Sequence, residues 1–456
     1  MTAVRDPRHP AGTDLLDPLP ARLPDAEASA QLPAGFVAGG ASAGIKRSGR
    51  PDLAIVATTS GRPVPAAAVF TSNAMPAAPV RLSRAHLAAT DGRAAAVVCT
   101  SGSANAATGA AGDADQLAVA RHLADALGVP VEQVLTLSTG VIGTRLPLPT
   151  IAAGIAALVP GLVPEASGFT AAARALMTTD RRAKAATVRL ALPAPDGPAR
   201  PVTVSGIAKG VGMIHPRMAT MLAVVLTDAT VEPTTLRTLL RGAAARTWDQ
   251  LTIDGDTSTN DTVFLLASGA AGTATVEAGS DAAARLAAGI EAVARSLARQ
   301  QAADGEGATT LVTCHVAGAV DDAEARAVAR SVAASSLVKA AVHGRDPNWG
   351  RIAAAAGNAH LADAAVLEAA GLDPAEAHER AGRPARLDPD CLRVAIAGHL
   401  VFDGRPLDFD RAAARAAMEA PEVLIRLDLG LGEGSGEAFG CDLTEEYVVE
   451  NAEYTT

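Results

Sequence analysis

Residues 209–222 read KGVGMIHPRMATML. Lys209-Gly210-Val211-Gly212 is polar and flexible, and Thr220 opens the run 221–226 (MLAVVL), apolar enough for a buried strand. A threonine hydroxyl is a poor nucleophile without a base beside it. Its own α-amine can serve, but only once the preceding peptide bond has been cut. Ala219 is small, so the Thr220 hydroxyl can approach the preceding carbonyl. An N→O acyl shift would give an ester, and water would finish the cut. The freed amine, with an ordinary pKa of about 7.7–8.0, suits a general base. These residues point to a chain that cleaves itself between Ala219 and Thr220. They equally fit a plain strand start, because β-branched side chains favour strands.

Ser138-Thr139-Gly140 ends another apolar stretch. A Thr hydroxyl and an adjacent Gly N–H can form an oxyanion hole, with glycine letting the backbone come close to a substrate. Spacing alone also fits an ordinary turn. Lys209 among its glycines is suited to clamping a carboxylate, or to keeping a nearby amine neutral by like-charge repulsion; a solvated loop lysine is the bland alternative. The loop is not a Walker A sequence. Asp304-Gly305-Glu306-Gly307 offers an acid in a tight turn for a substrate ammonium, though acidic turns are common. The polar run 254–261 (DGDTSTND) lacks the ligand order of an EF-hand and reads as a structured loop near the site. Gly432-Glu433-Gly434-Ser435-Gly436 is only superficially like a dinucleotide fingerprint, since no βαβ unit surrounds it. The C-terminus CDLTEEYVVENAEYTT is too patterned for a frayed end, with Tyr447, Val448 and Val449 as anchors. None of the nine histidines has metal-ligand spacing, so no metal is expected.

The elements that must carry these groups are short apolar runs between glycine- or serine-rich turns. They include 53–57, 65–70, 94–102, 134–140 and 201–208, with helical spacing over 113–127 and from Glu232-Pro233 onward. A helix is expected over 281–302 with Leu286, Ile290, Val293 and Leu297 on one side, a strand over 308–316 and a helix over 321–334. Residues 364–390 read as a helical insert, 392–397 and 399–402 as a hairpin, and 423–430 as a strand. Mixed short strands and helices indicate a layered α/β or α+β fold. The chain has 456 residues, 49% hydrophobic but only 2% aromatic, enough for two or three domains. The net charge of −10 is scattered, without a basic patch, so nucleic acid is not an expected partner. Four widely spaced cysteines fit a reducing cytosol and a cytoplasmic protein. No run reaches the roughly 18 apolar residues that span a membrane. The first 33 residues, rich in Pro, Asp and Ala, read as a disordered extension, with a short weak helix as the alternative.

Together the segments 33–46 (PAGFVAGGASAGIK), 69–80, 101–109 (SGSANAATG), 138–143 (STGVIG), 177–180 (MTTD), 209–222, 254–261, 304–307 (DGEG), 344–352 (GRDPNWGRI) and the C-terminus resemble the ornithine acetyltransferase family. That family is also called glutamate N-acetyltransferase, or the arginine-biosynthesis bifunctional protein. The resemblance covers about 33–456 and implies an αββα sandwich similar to N-terminal-nucleophile hydrolases, plus a smaller C-terminal α/β domain. It implies self-cleavage into an α chain (1–219) and a β chain (220–456) that assemble as a heterotetramer. It implies Thr220 as nucleophile and acetyl carrier, Thr139 and Gly140 as the oxyanion hole, and Thr179, Lys209, Thr220, Glu306, Asn451 and Thr456 as substrate contacts. Small-molecule substrates (N-acetylornithine and glutamate) are expected, with no cofactor and acetyl-CoA as a candidate co-substrate.

The expected domains are 1–33, a catalytic domain 34–317, a smaller domain 318–430, and a segment 431–456 that returns to the active site. Thr100, Ser103 and Arg217 stand where the family usually has asparagine, which leaves open a paralogue serving a secondary-metabolite pathway. An amidohydrolase or aminopeptidase using the same Thr220 is a further alternative.

Overall fold

The computed structural model describes residues 15–19, 23–215 and 221–453. These form two compact units, one built from 23–244 and 256–301, the other from 245–255 and 302–453.

Among the described residues the first unit carries ten strands: β1 (Phe36–Ala41), β2 (Leu53–Thr58), β3 (Val64–Phe70), β4 (Arg93–Ala94), β5 (Ala96–Ser103), β6 (Val134–Val141), β7 (Lys184–Ala194), β8 (Gly197–Lys209), β9 (Leu222–Thr227) and β10 (Thr262–Ala267). They make a four-stranded sheet in the order β1-β2-β5-β6 and a six-stranded sheet in the order β4-β3-β10-β9-β8-β7. Its helices are α1 (Ala78–Ala89), α2 (Gly109–Leu127), α3 (Leu148–Leu158), α4 (Ala166–Leu176), α5 (Pro233–Arg246) and α6 (Asp281–Ala303).

Side chains of a strand alternate between faces, so a strand with two buried faces reads as a continuous apolar run. In β2 and β5, Leu53, Ile55, Ala96 and Val98 meet Val119 and Leu123 of α2 and Ile151 and Ile155 of α3. The alternate residues Ala54, Val56, Val97 and Cys99 face inward, into one core with Leu222, Val224, Leu226, Phe264 and Leu266 of the other sheet. Phe169, Ala172 and Leu176 of α4 fill the same core. Close approach of α4 to β1 depends on missing side chains: a Cβ on Gly40 would lie 2.2 Å from the Ala171 carbonyl oxygen. On the far side of the six-stranded sheet, Val293 and Leu297 of α6 lie over Gly206 of β8. The layers are thus helix, sheet, sheet, helix, with α4 set between the sheets.

The second unit holds β11 (Leu311–Ala319), β12 (Arg393–Ile396), β13 (His399–Asp403), β14 (Glu422–Asp428) and β15 (Gly434–Cys441), in the order β13-β12-β14-β11-β15. Val312, Cys314 and Val316 of β11 pack with Ile425 and Leu427 of β14 and with Val328 and Val332 of α7 (Asp322–Ala334). Asp321 caps α7 by accepting the Glu324 N–H.

Several expectations are corrected. Residues 27–31 are not a free extension: Glu27 and Thr187 exchange main-chain hydrogen bonds at 2.9 Å, and the Thr187 hydroxyl donates to the Ser29 carbonyl at 2.7 Å. The reason is that β7 is an edge strand whose unpaired groups need partners. The region 364–390, expected as a helical insert, does hold two short helices, Ala364–Ala369 and Pro374–Arg380. The glycine-rich run at 432–436 leads into strand β15. A Cβ on Gly434 would lie 2.1 Å from the Asp321 carbonyl carbon, so its glycines admit the backbone of the α7 N-terminus. The boundary expected at 317/318 falls inside β11, and packing divides the chain at 301/302 instead, because β11 is an interior strand of the third sheet. No helix among the described residues is long and apolar enough to cross a membrane.

Candidate active site

Strand β6 ends in Ser138-Thr139-Gly140-Val141, and β8 ends at Lys209. Thr139 and Lys209 are buried, and the Lys209 Nζ donates to Thr139 Oγ1 at 3.2 Å. A hydroxyl that accepts from an ammonium keeps its own proton free to donate elsewhere. Gly140 has φ +127°, and a Cβ there would lie 2.4 Å from the carbonyl carbon of Gly102, its partner in β5. Only glycine fits both the conformation and the space. The fold thus brings Thr139 and Gly140 at the end of one sheet's strand beside Lys209 at the end of the other's.

Beneath them lies a buried charge network. Asp180 pairs with Lys184 at 2.6 Å, both fully buried, and accepts the N–H groups of Gly210 at 2.9 Å and Thr178 at 3.0 Å. Burial pushes the Asp180 carboxyl up, but Lys209, Lys184 and the Gly210 N–H together hold it down to about 2. Asp180 thereby fixes the start of the Lys209 loop. Lys46 donates to the Met177 carbonyl at 2.6 Å and to the Pro51 carbonyl at 2.7 Å; burial, against the pull of Asp52, brings its ammonium down to about 8. Burial drives the Cys99 thiol up to about 12, so it is not a nucleophile. Thr179, the expected substrate contact, is half-buried next to Asp180.

Residues 258–262 meet this region from the side. Asn260 Nδ2 donates to the Ser138 carbonyl at 2.8 Å and to the Ala104 carbonyl at 2.7 Å. Asp261 Oδ1 accepts the Met221 N–H at 2.9 Å. Burial raises the Asp261 carboxyl well above the usual carboxylate range, and the Met221 N–H, Lys209 and Ser258 offset only part of that. Thr100 and Ser103, the departures from the family pattern, point their hydroxyls into the scaffold: Thr100 Oγ1 lies 2.9 Å from Ser138 Oγ, and Ser103 Oγ donates to the Thr144 carbonyl at 2.8 Å. They support the end of β6 rather than line a substrate surface.

In the other unit, Glu306 and Asn451 are brought together: Asn451 Nδ2 donates to Glu306 Oε2 at 3.0 Å. Gly307 N–H donates to Glu450 at 2.8 Å, and the Thr444 hydroxyl to the Gly307 carbonyl at 2.7 Å, so the DGEG turn is tied to the helix Glu445–Glu453. Ala219, Thr220, Arg217 and Thr456 lie outside the described residues. The sequence reading did not single out Lys46, Asp180, Lys184, Asn260 and Asp261. All but Lys184 lie inside motifs it quoted, and Lys184 stands four residues after Asp180. Chemically, the arrangement around Thr139 offers a hydroxyl and a glycine N–H beside a buried cation, suited to an anionic oxygen.

The model of the ArgJ family matches residues 37–456. An arginine biosynthesis bifunctional protein ArgJ from Synechococcus is 46% identical over 436 residues, covering 93% of this chain and 96% of that one. The protein of the same name from Thermus thermophilus is 45% identical, covering 93% and 99%. Among solved structures, an ornithine acetyltransferase from Mycobacterium tuberculosis, complexed with ornithine, is 40% identical with a TM-score of 0.38, covering 42% of this chain and 98% of that one.

Proposed function

This chain belongs to the ArgJ family, and on that premise we propose that it is a self-processing acetyltransferase of arginine biosynthesis, moving the acetyl group of N-acetylornithine to glutamate. Cleavage before Thr220 frees its α-amine. The Thr220 hydroxyl attacks the acetyl carbonyl while the amine takes the hydroxyl proton. The Thr139 hydroxyl and the Gly140 N–H receive the negative oxygen. Collapse expels ornithine, whose α-nitrogen leaves with that proton, and an acetyl-Thr220 ester remains. The amine of glutamate attacks the ester, the Thr220 amine passes one of its N–H protons to the Thr220 oxygen, and N-acetylglutamate departs. Thr179, Lys209, Thr220, Glu306, Asn451 and Thr456 are the substrate contacts in this reading.

The observation that supports it most is the buried Lys209–Thr139 hydrogen bond at 3.2 Å. It occupies a Thr139 lone pair and leaves the O–H to donate, and the cation beside it favours an anionic oxygen there. The reaction needs no cofactor; acetyl-CoA is the candidate second donor. The active form is a cytoplasmic heterotetramer of the two fragments. On a denaturing gel the purified protein should give two pieces, the second beginning Thr-Met-Leu-Ala, and Thr220→Ala should stay whole and inactive. An intact chain that transfers acetyl groups refutes the amine as base. Parallel assays with N-acetylornithine and acetyl-CoA identify the donors, and size measurement the assembly.

A further inference from the structure

Asn260 and Asp261 are neighbours in sequence, yet their side chains serve different sheets. Successive residues of an extended chain point to opposite sides, which lets one dipeptide reach two partners. Asn260 Nδ2 binds the Ser138 carbonyl at 2.8 Å and the Ala104 carbonyl at 2.7 Å, in and just beyond the ends of β6 and β5. The Ser138 carbonyl belongs to the peptide plane that enters Thr139. Holding that plane sets where the Thr139 hydroxyl and the next N–H, that of Gly140, are aimed. Asp261 Oδ1 accepts the Met221 N–H at 2.9 Å, and the Thr262 N–H donates to the Met221 carbonyl at 3.0 Å, so Met221 is gripped on both sides. Met221 is bonded directly to Thr220.

We propose that Asn260 and Asp261 form a positioning pair that locks the oxyanion residues Ser138-Thr139-Gly140 at the end of β6 and the main chain immediately after Thr220 into one register. The pair rests on the reading of Thr220 as nucleophile. Its own anchors are firm: the Thr71 N–H donates to the Asp261 carbonyl at 2.9 Å, the Thr71 hydroxyl to the Ser258 carbonyl at 2.6 Å, and Asn73 Nδ2 to the Thr257 carbonyl at 2.8 Å.

The test follows self-cleavage over time and, on cleaved protein, kcat and KM for acetyl transfer from N-acetylornithine. Asn260→Ala and Asp261→Ala are each expected to slow cleavage and lower kcat by tenfold or more, on the order of 10² if atoms shift by about 1 Å. KM should stay within about twofold, because ground-state binding is untouched. The double variant should be far less impaired than the product of the single losses, since both act on one geometry. Asp261→Asn keeps an oxygen for the Met221 N–H and should rescue most of the loss with an unchanged pH profile. Folded alanine variants that cleave and turn over like the parent overturn the pair. So does a folded Asp261→Asn as impaired as Asp261→Ala, which would make Asp261 a proton carrier. If the alanine variants do not fold, Asn260→Asp decides, because it removes the donor at constant shape: parental rates overturn the proposal. A parent protein that neither cleaves nor transfers overturns the acetyltransferase reading instead.

Discussion

Asp180→Asn tests the buried charge network most directly. The substitution keeps the size of the side chain and removes its charge. In the parent, one carboxylate faces the ammonium groups of Lys184 and Lys209, and the Lys184 contact is 2.6 Å with both side chains fully buried. Its pKa in the fold, about 2, lies below its ordinary 3.8, so folding favours the ionised form. That depression alone corresponds to roughly 2 kcal/mol, present above pH ~4 and lost as the pH falls through about 2. Removing the anion also takes the carboxylate from two buried lysines, and breaking a buried pair typically costs ~3–5 kcal/mol. The asparagine amide would further oppose one of two N–H donors, those of Thr178 and Gly210. Urea unfolding at neutral pH should therefore show a loss of about 3–5 kcal/mol, and the gap to the parent should narrow as the pH drops from about 4 toward 2. A loss below about 1 kcal/mol, or a gap indifferent to pH, would refute the reasoning.

Thr139→Val removes one oxyanion donor at nearly constant shape; kcat for acetyl transfer should fall about 10²–10³-fold. Gly140→Ala sets a methyl 2.4 Å from the Gly102 carbonyl carbon at φ +127°, so thermal unfolding should shift down, by about 1–3 kcal/mol or more, and self-cleavage should stall. Alkylation at pH 8 followed by peptide mass analysis should mark Cys391 alone in the folded protein. Cys99, Cys314 and Cys441 are buried and their thiols are pushed up by burial, Cys99 to about 12. Rapid labelling of Cys99 would contradict its place in the core between the sheets.

Elements with a strong local signature are legible in the amino-acid sequence. The helix expected over 281–302 is Asp281–Ala303, that over 321–334 is Asp322–Ala334, and the hairpin around 397–398 is β12 with β13. Helical and strand periodicities are local, and caps such as Asp321 reinforce them. The candidate groups Thr139, Gly140 and Lys209 are legible too, because a hydroxyl, a glycine and a lysine at the ends of apolar runs are chemically distinctive even without partners. Strands β1 and β15 are not. Glycines interrupt β1 and β15, and a glycine in a strand records the approach of another backbone, as of α4 to Gly40.

Amino-acid order by itself determined the kinds of groups present, the segments that could be helix or strand, and the short motifs that carry the chemistry. Which groups meet was decided only by the tertiary structure. Lys209 reaches Thr139 across 70 positions, Asn260 reaches Ser138 across 122, and Gly210 reaches Asp180 across 30. Such pairings depend on sheet order and strand register, and a slip of one residue would turn every side chain to the opposite face. Burial decided the rest: the same carboxyl group is held low in Asp180 by two lysines and pushed up in Asp261 by burial that its polar neighbours only partly offset.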